Sequence, residues 1–463
     1  MGLVSRRRLL AALAAVPAAL ATAPMARATA QALEHRPRTG LPGSMPAPVD
    51  AIVTRWDTDP WSRGSYSALP VGSLPDLREV LAESLIGGRC ALAGEFTSVD
   101  YPATTHGALR SGQRAARALL TERQPRTAIV IGAGIAGAAA ARTLVDAGVR
   151  VTVLEARGRI GGRLHDDARW GQPVELGAAW VHGVRGNPVV PLAEASGLAL
   201  IPCDYDDDSI HALDSHLPCA PASRALDQLD TLIGGLEEGT GLPRRQSTQG
   251  WLRARGWGRT PVDAWAEEVT IVQEYGLNAA MLSARAPGEG AWLRGGDALV
   301  AGGYARTVST LLEDVDVRLT HPVRGVQVEG GGVAITTTSE RLISDVVVVA
   351  VPLALLQAGS PMITPMPAAI RTGIRGLTTG NLEKVILRFN EQWWPDTRML
   401  GVVDTQQATP ASLRWTEFVS ITDLVGMPVV VAFAGGQAAT SRPTDDAACA
   451  AEAYAMLAGG FAG

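Results

Sequence analysis

Residues 128–163 read AIVIGAGIAGAAAARTLVDAGVRVTVLEARGRIGGR, and their succession of strand, glycine turn and helix decides the fold class. Ala128 to Ile131 is a short apolar strand that runs straight into Gly132, Gly134 and Gly137. An Ala-rich helix follows to about Ala147, then a second strand from Arg150 to Leu154, ending at Glu155. In such a unit the first glycine permits a tight turn, the second lets a pyrophosphate approach the backbone, and the third lets helix and strand pack closely. The helix N-terminus offers free N–H groups and a partial positive charge to phosphates. Glu155, eighteen residues past Gly137, is placed to accept hydrogen bonds from a ribose hydroxyl. A glycine triplet alone is a weak signal. Here strand, helix, second strand and acid fall in register, which predicts an α/β dinucleotide-binding fold.

The surrounding chain sets the bounds. At 463 residues it is too long for one simple core, so two intertwined domains are expected. Hydrophobic residues make up 46% and the mean hydropathy is +0.11, which fits a well-packed globular protein. A net charge of −5 without a basic run argues against a nucleic-acid partner. Of the 41 basic residues 40 are arginine, and the one lysine is Lys384. Surface Lys and Arg exchange freely, but a site that needs a compact, titratable amine does not accept the swap, so this lone lysine invites a functional reading. Cys90, Cys203, Cys219 and Cys449 form no CxxC pair; a Cys203–Cys219 disulfide and free thiols are both open. The seven histidines do not cluster, and no metal site is expected.

Residues 1–30 read as a targeting segment: Ser5-Arg6-Arg7-Arg8-Leu9-Leu10 opens an apolar run to about Ala21, and small-x-small sites follow at Ala26–Ala30. The run is too short for a membrane span. The paired arginines suggest a bacterial twin-arginine export signal, which carries folded proteins to the periplasm or outside the cell. Residues 31–50, rich in Pro, Gly and Arg, read as a linker.

The fingerprint continues into Arg159-Ile160-Gly161-Gly162-Arg163, which resembles the FAD-binding extension of flavin amine oxidases. Three further stretches resemble the same family: VTRW with DPWSRGSYS (residues 53–67), AGEFT (93–97) and YPATTHGALRSG (101–112). They are similar to its polyamine oxidase and histone lysine demethylase branch, where this block stands at the C-terminal end. Here it precedes the fingerprint, and Val429 to Gly463 resembles the strand and helix that lead into it. The resemblance therefore implies a circularly permuted α/β fold: a Rossmann-like FAD-binding domain with an α+β substrate domain. Its pieces would be 51–120 (the displaced FAD block), 121–127 (the joint), 128–185 and 291–358 (the rest of the FAD domain), 186–290 (helical substrate part) and 359–463 (its sheet and final helix). Ser344–Val351, an uninterrupted β-branched run, reads as a buried parallel strand.

The resemblance also implies roles. FAD would be held non-covalently, since the GSYS and AGE loops lack a cysteine. Gly132, Gly134, Gly137, Glu155, Arg157, Gly162, Arg163, Gly177, Ala178, Trp180 and Val323 would cradle it. Gly94 and Glu95 would meet the ribityl chain, and the helix start from Thr105 to Ala108 would offer N–H dipoles to the flavin N1–O2 edge. Trp393 would pack near the isoalloxazine. Lys384, in GNLEKVILRFNEQWWP, matches the lysine that holds a water at flavin N5. Tyr66 corresponds to one wall of the aromatic cage around the substrate amine. Thr104 stands where polyamine oxidases often have the opposite tyrosine, which implies a wider mouth. His182, in WVHG, matches a histidine near the substrate amine. The implied activity is oxidation of a polyamine or another secondary or N-substituted amine, with O₂ reduced to H₂O₂. Two alternatives remain: an L-amino acid oxidase, although GAAWVHG lacks the carboxylate-binding arginine, and a tailoring or non-catalytic flavoprotein. The acidic run Asp204–Asp208 reads as a solvated loop or an attractor of polycations.

Overall fold

The computed structural model describes residues 45–213, 217–407, 409 and 412–461; the targeting segment and most of the linker lie outside them. Two six-stranded sheets organise the chain. In the first, the strands run in the order Asp316–Arg318, Arg150–Leu154, Thr127–Ile131, Val346–Val349, Cys90–Leu92, Leu85–Ile86, parallel throughout except for the last pair. The β-branched run contracts to Val346–Val349, all four residues fully buried, because both faces of this strand are covered. Helices Ile135–Asp146 and Thr105–Arg123 pack on this sheet and on each other. They approach so closely at Gly112 that a Cβ there would lie 1.9 Å from the Ala136 carbonyl oxygen. Leu109, Ala115, Ala116, Ala139, Ala140 and Leu144 fill the seam as part of one buried cluster.

The second sheet runs Asp50–Val53, Leu382–Arg388, Val429–Gly435, Glu417–Ser420, Met399–Val403, Asp208–Ala212. It is antiparallel save for the last pair. One face packs against the final helix Asp446–Phe461 through Leu387, Leu400, Val402, Cys449, Ala453 and Leu457. The other face, with Ile386, Val419, Val431 and Phe433, packs on Val174, Ala179, Cys203 and Leu299. Helices Pro221–Glu237, Thr248–Arg253 and Pro261–Glu267 lie within residues 186–290, where the helical part is expected. None of the described helices is long and apolar enough to cross a membrane.

Residues before the fingerprint are built into both sheets: Asp50–Val53 at the edge of the second, Cys90–Leu92 inside the first. Helix Thr105–Arg123 overruns the expected joint, so only residues 124–126 connect it to Thr127. Gln124 caps it in the left-handed region, and the strand begins three residues later.

Candidate active site

A cavity of about 490 Å³ runs between the two sheets. At its nucleotide end, Gly132 has φ +103° and would place a Cβ 2.7 Å from the Ala350 carbonyl oxygen. Gly134 caps the helix with no side chain of its own, and a Cβ there would meet nothing nearer than the Gly161 oxygen at 3.8 Å. The first-turn N–H groups thus face open space, which is the cradle a pyrophosphate needs. Gly137 does not line the cavity; its missing Cβ would sit 1.9 Å from the Gly132 oxygen, so it lets the helix seat on the turn. Glu155 accepts from the Ala133 N–H with Oε2 and the Arg157 N–H with Oε1, both at 2.8 Å. Each oxygen keeps a lone pair, and the residue lines the cavity.

Two arginines at the end of the 128–163 stretch bind it to the segment before it through two ion pairs. Arg157 makes a two-pronged pair with Asp59 at 2.7 and 2.6 Å. Arg163 donates to the Ser65 carbonyl at 2.7 Å and to Glu95 at 3.0 Å. Glu95 also accepts from the Ser67 hydroxyl at 2.6 Å and the Ala103 N–H at 3.2 Å. Burial pushes the Glu95 carboxyl up, but Arg163, Ser67 and Arg78 together hold it below the usual range. It is an anion at neutral pH. Thr104 is the N-cap of helix Thr105–Arg123: its hydroxyl accepts from the Gly107 N–H at 3.0 Å and donates to the Tyr101 carbonyl at 2.9 Å.

Lys384 enters the cavity from strand Leu382–Arg388, 5% exposed. Its Nζ donates to the carbonyls of Gly177 at 2.6 Å and Glu175 at 3.0 Å. When protonated it has one N–H left for a ligand. Desolvation lowers its pKa from 10.5 to about 8, with Glu175 opposing. Glu175 was not singled out from sequence. Burial pushes its carboxyl up to about 8, against the bond from the Tyr304 N–H at 2.7 Å and the attraction of Lys384.

His182 reaches the cavity with Nδ1 2.7 Å from Asp297 Oδ2. A carboxylate only accepts, so Nδ1 donates and the neutral ring keeps Nε2 as its acceptor. The Gly183 N–H and the Tyr205 hydroxyl, at 2.9 and 3.1 Å, fix the same aspartate. Asp297 is 115 residues from His182, and no local pattern marks it. Tyr205 alone of the acidic run lines the cavity; Asp204, Asp206 and Asp207 are exposed.

The far end of the cavity is formed by helix Pro221–Glu237, the helical stretch of Glu268–Val272 and Gln273–Tyr275, and the loop 291–293. Tyr66 donates its hydroxyl to the Gln273 carbonyl. Asp230, Ile233 and Glu237 recur at i, i+3 and i+7, one helix face turned to the cavity. Burial, with Asp230 and Glu238 beside it, pushes the Glu237 carboxyl up to about 7, and its Oε2 is buried with no hydrogen-bond partner.

The remaining expected residues Gly94, Thr105, Ala108, Gly162, Gly177, Ala178, Trp180 and Val323 all line the cavity. Trp393 does not. It packs edge-on against Phe389 and Trp394, each 5.7 Å away, in the cluster under the final helix. The strand ends at Arg388, and the turn after it carries both tryptophans to the opposite face of the sheet. None of the four cysteines is in a disulfide, so the Cys203–Cys219 pairing is not formed.

The profile of the family described as "Flavin containing amine oxidoreductase" matches residues 27–120, 135–249 and 255–461. The chain belongs to that family. It is therefore a flavin-dependent amine oxidoreductase, with FAD as its implied cofactor, and the open cradle, uncapped helix and Glu155 fit that group. Among its relatives are a protein named probable polyamine oxidase 4 from Arabidopsis thaliana, 32% identical over 67% of this chain and 66% of that one, and polyamine oxidase 3 from Oryza sativa, 32% identical over 72% of each. Lysine-specific histone demethylase 2 from Homo sapiens is 28% identical over 79% of this chain and 48% of that one. Among solved structures, a redesigned putrescine oxidase has a TM-score of 0.57 at 21% identity, over 73% of this chain and 82% of that one. Cyclohexylamine oxidase from Brevibacterium oxydans has a TM-score of 0.57 at 19% identity, with the same coverage. These two likenesses bear on the fold.

Proposed function

We propose that the chain oxidises a polyamine, or another secondary or N-substituted amine, and passes the electrons to O₂. Bound FAD supplies the two-electron chemistry that turns the amine into an imine and O₂ into H₂O₂. The observation that carries the reading is one cavity joining the nucleotide cradle, the buried Lys384 and an acidic far end at Asp230, Glu237 and Glu274. His182 Nε2 accepts from a substrate N–H and orients the amine; hydride loss from a neutral amine needs no strong protein base. Tyr66 flanks the amine, and Thr104, spent on its cap, leaves the mouth wide. Carboxylates at the far end suit the ammonium groups of an extended polycation.

An amino acid substrate is disfavoured by charge. The cavity arginines are paired: Arg78 with Glu289, Arg157 with Asp59, Arg163 with Glu95. None is offered to a substrate carboxylate. A tailoring or non-catalytic flavoprotein has no specific observation in its favour.

The reading includes a circular permutation in which residues 51–120 stand ahead of the fingerprint. It is supported by their incorporation into both sheets, by the three-residue connection at 124–126, and by collinear matches that cover only about seven-tenths of the chain and of its plant relatives. Moving residues 46–123 behind residue 461 would yield a folded, yellow protein if the reading is right. Export through the twin-arginine route is part of the same proposal, tested by localising a tagged protein with Arg6 and Arg7 changed to Lys.

The deciding experiment is anaerobic mixing of the yellow protein with spermine, spermidine, N-acetylated polyamines and amino acids. Bleaching by a polyamine, with recovery in air and release of peroxide, supports the function. Bleaching by amino acids alone, or by nothing, refutes it.

A further inference from the structure

One acid of the large cavity's wall, Glu417, has a place fixed by strand pairing. In the second sheet Lys384 pairs with Phe433, and Phe433 pairs in turn with Glu417. Directly paired residues point to the same face, so the three side chains form one row, and all three line the cavity. Phe418, one residue on, turns to the opposite face and packs under the final helix. With strands about 4.8 Å apart, Glu417 stands on the order of 10 Å from Lys384, beyond Phe433. The Trp265 indole donates to the Thr416 carbonyl at 3.2 Å, so the row from the lysine meets the helical part of the chain here. Burial drives the neighbouring Glu268 carboxyl well up, with Glu267 and Glu417 adding to the rise. Glu268 therefore stays neutral and does not compete with Glu417 for a cation. The arginines that line the cavity are already paired elsewhere.

We infer that Glu417 determines substrate specificity by binding a second ammonium of the substrate, a few methylenes from the nitrogen that reacts near Lys384 and His182. The inference rests on the amine oxidase reading above and narrows its substrate to amines that carry a further positive charge at short spacing. The carboxylates of the far end serve longer chains; Glu417 reads the charge next to the reacting nitrogen. A hydrogen bond between an ammonium and a carboxylate is among the strong ones, and the half-buried wall shields it from bulk water. Acylating that second nitrogen removes its charge and the match with it.

The test compares diamines, from N-methyl-1,3-diaminopropane to N-methyl-1,6-diaminohexane, each with the N-methylalkylamine in which a methyl group replaces the ammonium. Anaerobic bleaching of the wild-type holoenzyme should favour the diamines. Glu417→Gln, the same size without the charge, should lower the second-order rate for the best diamine about ten- to a hundredfold, the range of a lost hydrogen bond to a charged group. The matched monoamine should be unchanged, and Glu417→Asp should recover part of the loss. A wild type without preference for the diamines, or a Glu417→Gln loss that is absent or equal for diamine and monoamine, overturns the proposal. Calorimetric binding of the same pairs to the oxidised holoenzyme reads Glu417 without turnover. Flavin that no amine bleaches would sink the oxidase reading alone: diamine binding that Glu417→Gln weakens still supports the site, and binding that it leaves unchanged overturns it.

Discussion

Lys384→Met separates two roles of one side chain, because the structure fixes opposite signs for them. In the fold the lysine titrates near 8 rather than 10.5, a penalty of about 3 kcal/mol on its charged form at roughly 1.4 kcal/mol per unit. Its removal relieves that penalty but strips donors from the Gly177 and Glu175 carbonyls, at about 1–3 kcal/mol each. At pH 7 these nearly cancel, so the variant should melt within a few degrees of the wild type. The pH dependence carries the signature. Below pH 8 the lysine is protonated in both folded and unfolded states, and the whole penalty stands. Between about 8 and 10.5 the folded protein sheds the proton while the unfolded chain keeps it, so the penalty shrinks. The wild type must therefore gain stability relative to Lys384→Met as pH rises from 7 to 9.5, read as the difference between their melting temperatures. Removing the cation also lifts Glu175 further, since Lys384 is the charge that opposes its burial. Loss of the buried cation should slow flavin reoxidation by about a hundredfold, the scale of one removed electrostatic stabiliser. In the wild type that rate should fall as pH passes 8, and in the variant it should be flat. A variant that melts far below the wild type at pH 7 yet reoxidises normally would make Lys384 a structural residue and refute the reasoning.

Other expectations follow from single contacts. Glu155→Gln should weaken FAD binding about tenfold or more, the scale of a hydrogen bond to a charged group, measured by titrating the apoprotein with FAD. Asp297→Asn unfastens His182 and should lower the second-order rate of amine-driven bleaching about tenfold, or roughly 1.4 kcal/mol, with FAD affinity unchanged. Gly112→Val drives a side chain into the Ala136 carbonyl and should cost about 3 kcal/mol or more, seen as an earlier denaturant midpoint. Unreduced protein, once unfolded, should react with a thiol reagent at Cys90, Cys203, Cys219 and Cys449 alike; a count of two would reinstate the disulfide.

What could be read from sequence was what is local or compositionally rare. The fingerprint is legible because turn, helix and acid lie within thirty residues and obey fixed backbone geometry. Lys384 stands out because arginine has replaced every other lysine. The partners of these residues are invisible because they are distant: Asp297 comes behind His182 by strand pairing, and Glu175 beside Lys384 by the packing of one sheet on another, and neither by spacing. The Asp230–Glu237 face looks like any amphipathic helix until the cavity beside it is known. Trp393 shows the converse. Its motif was clear, but which face a ring takes after a strand ends depends on one turn. Thr104 looked like a missing aromatic wall, and its hydroxyl in fact closes the first turn of a helix.

The strand Asp50–Val53 takes its place beside Leu382–Arg388, and Thr54 bonds to Glu383 across 329 residues. On a ribosome adding about 5–20 residues per second, the partner emerges on the order of 15–60 s after the strand itself. Through that interval Cys90–Leu92 also waits for Val346–Val349, with its apolar faces uncovered. Strands made early thus wait in both sheets for partners made much later. Holding chaperones that bind extended apolar segments should engage the nascent chain at residues 50–92 and release it once Val346–Val349 and Leu382–Arg388 have emerged, which ties the timing of folding to the distance along the chain between paired strands.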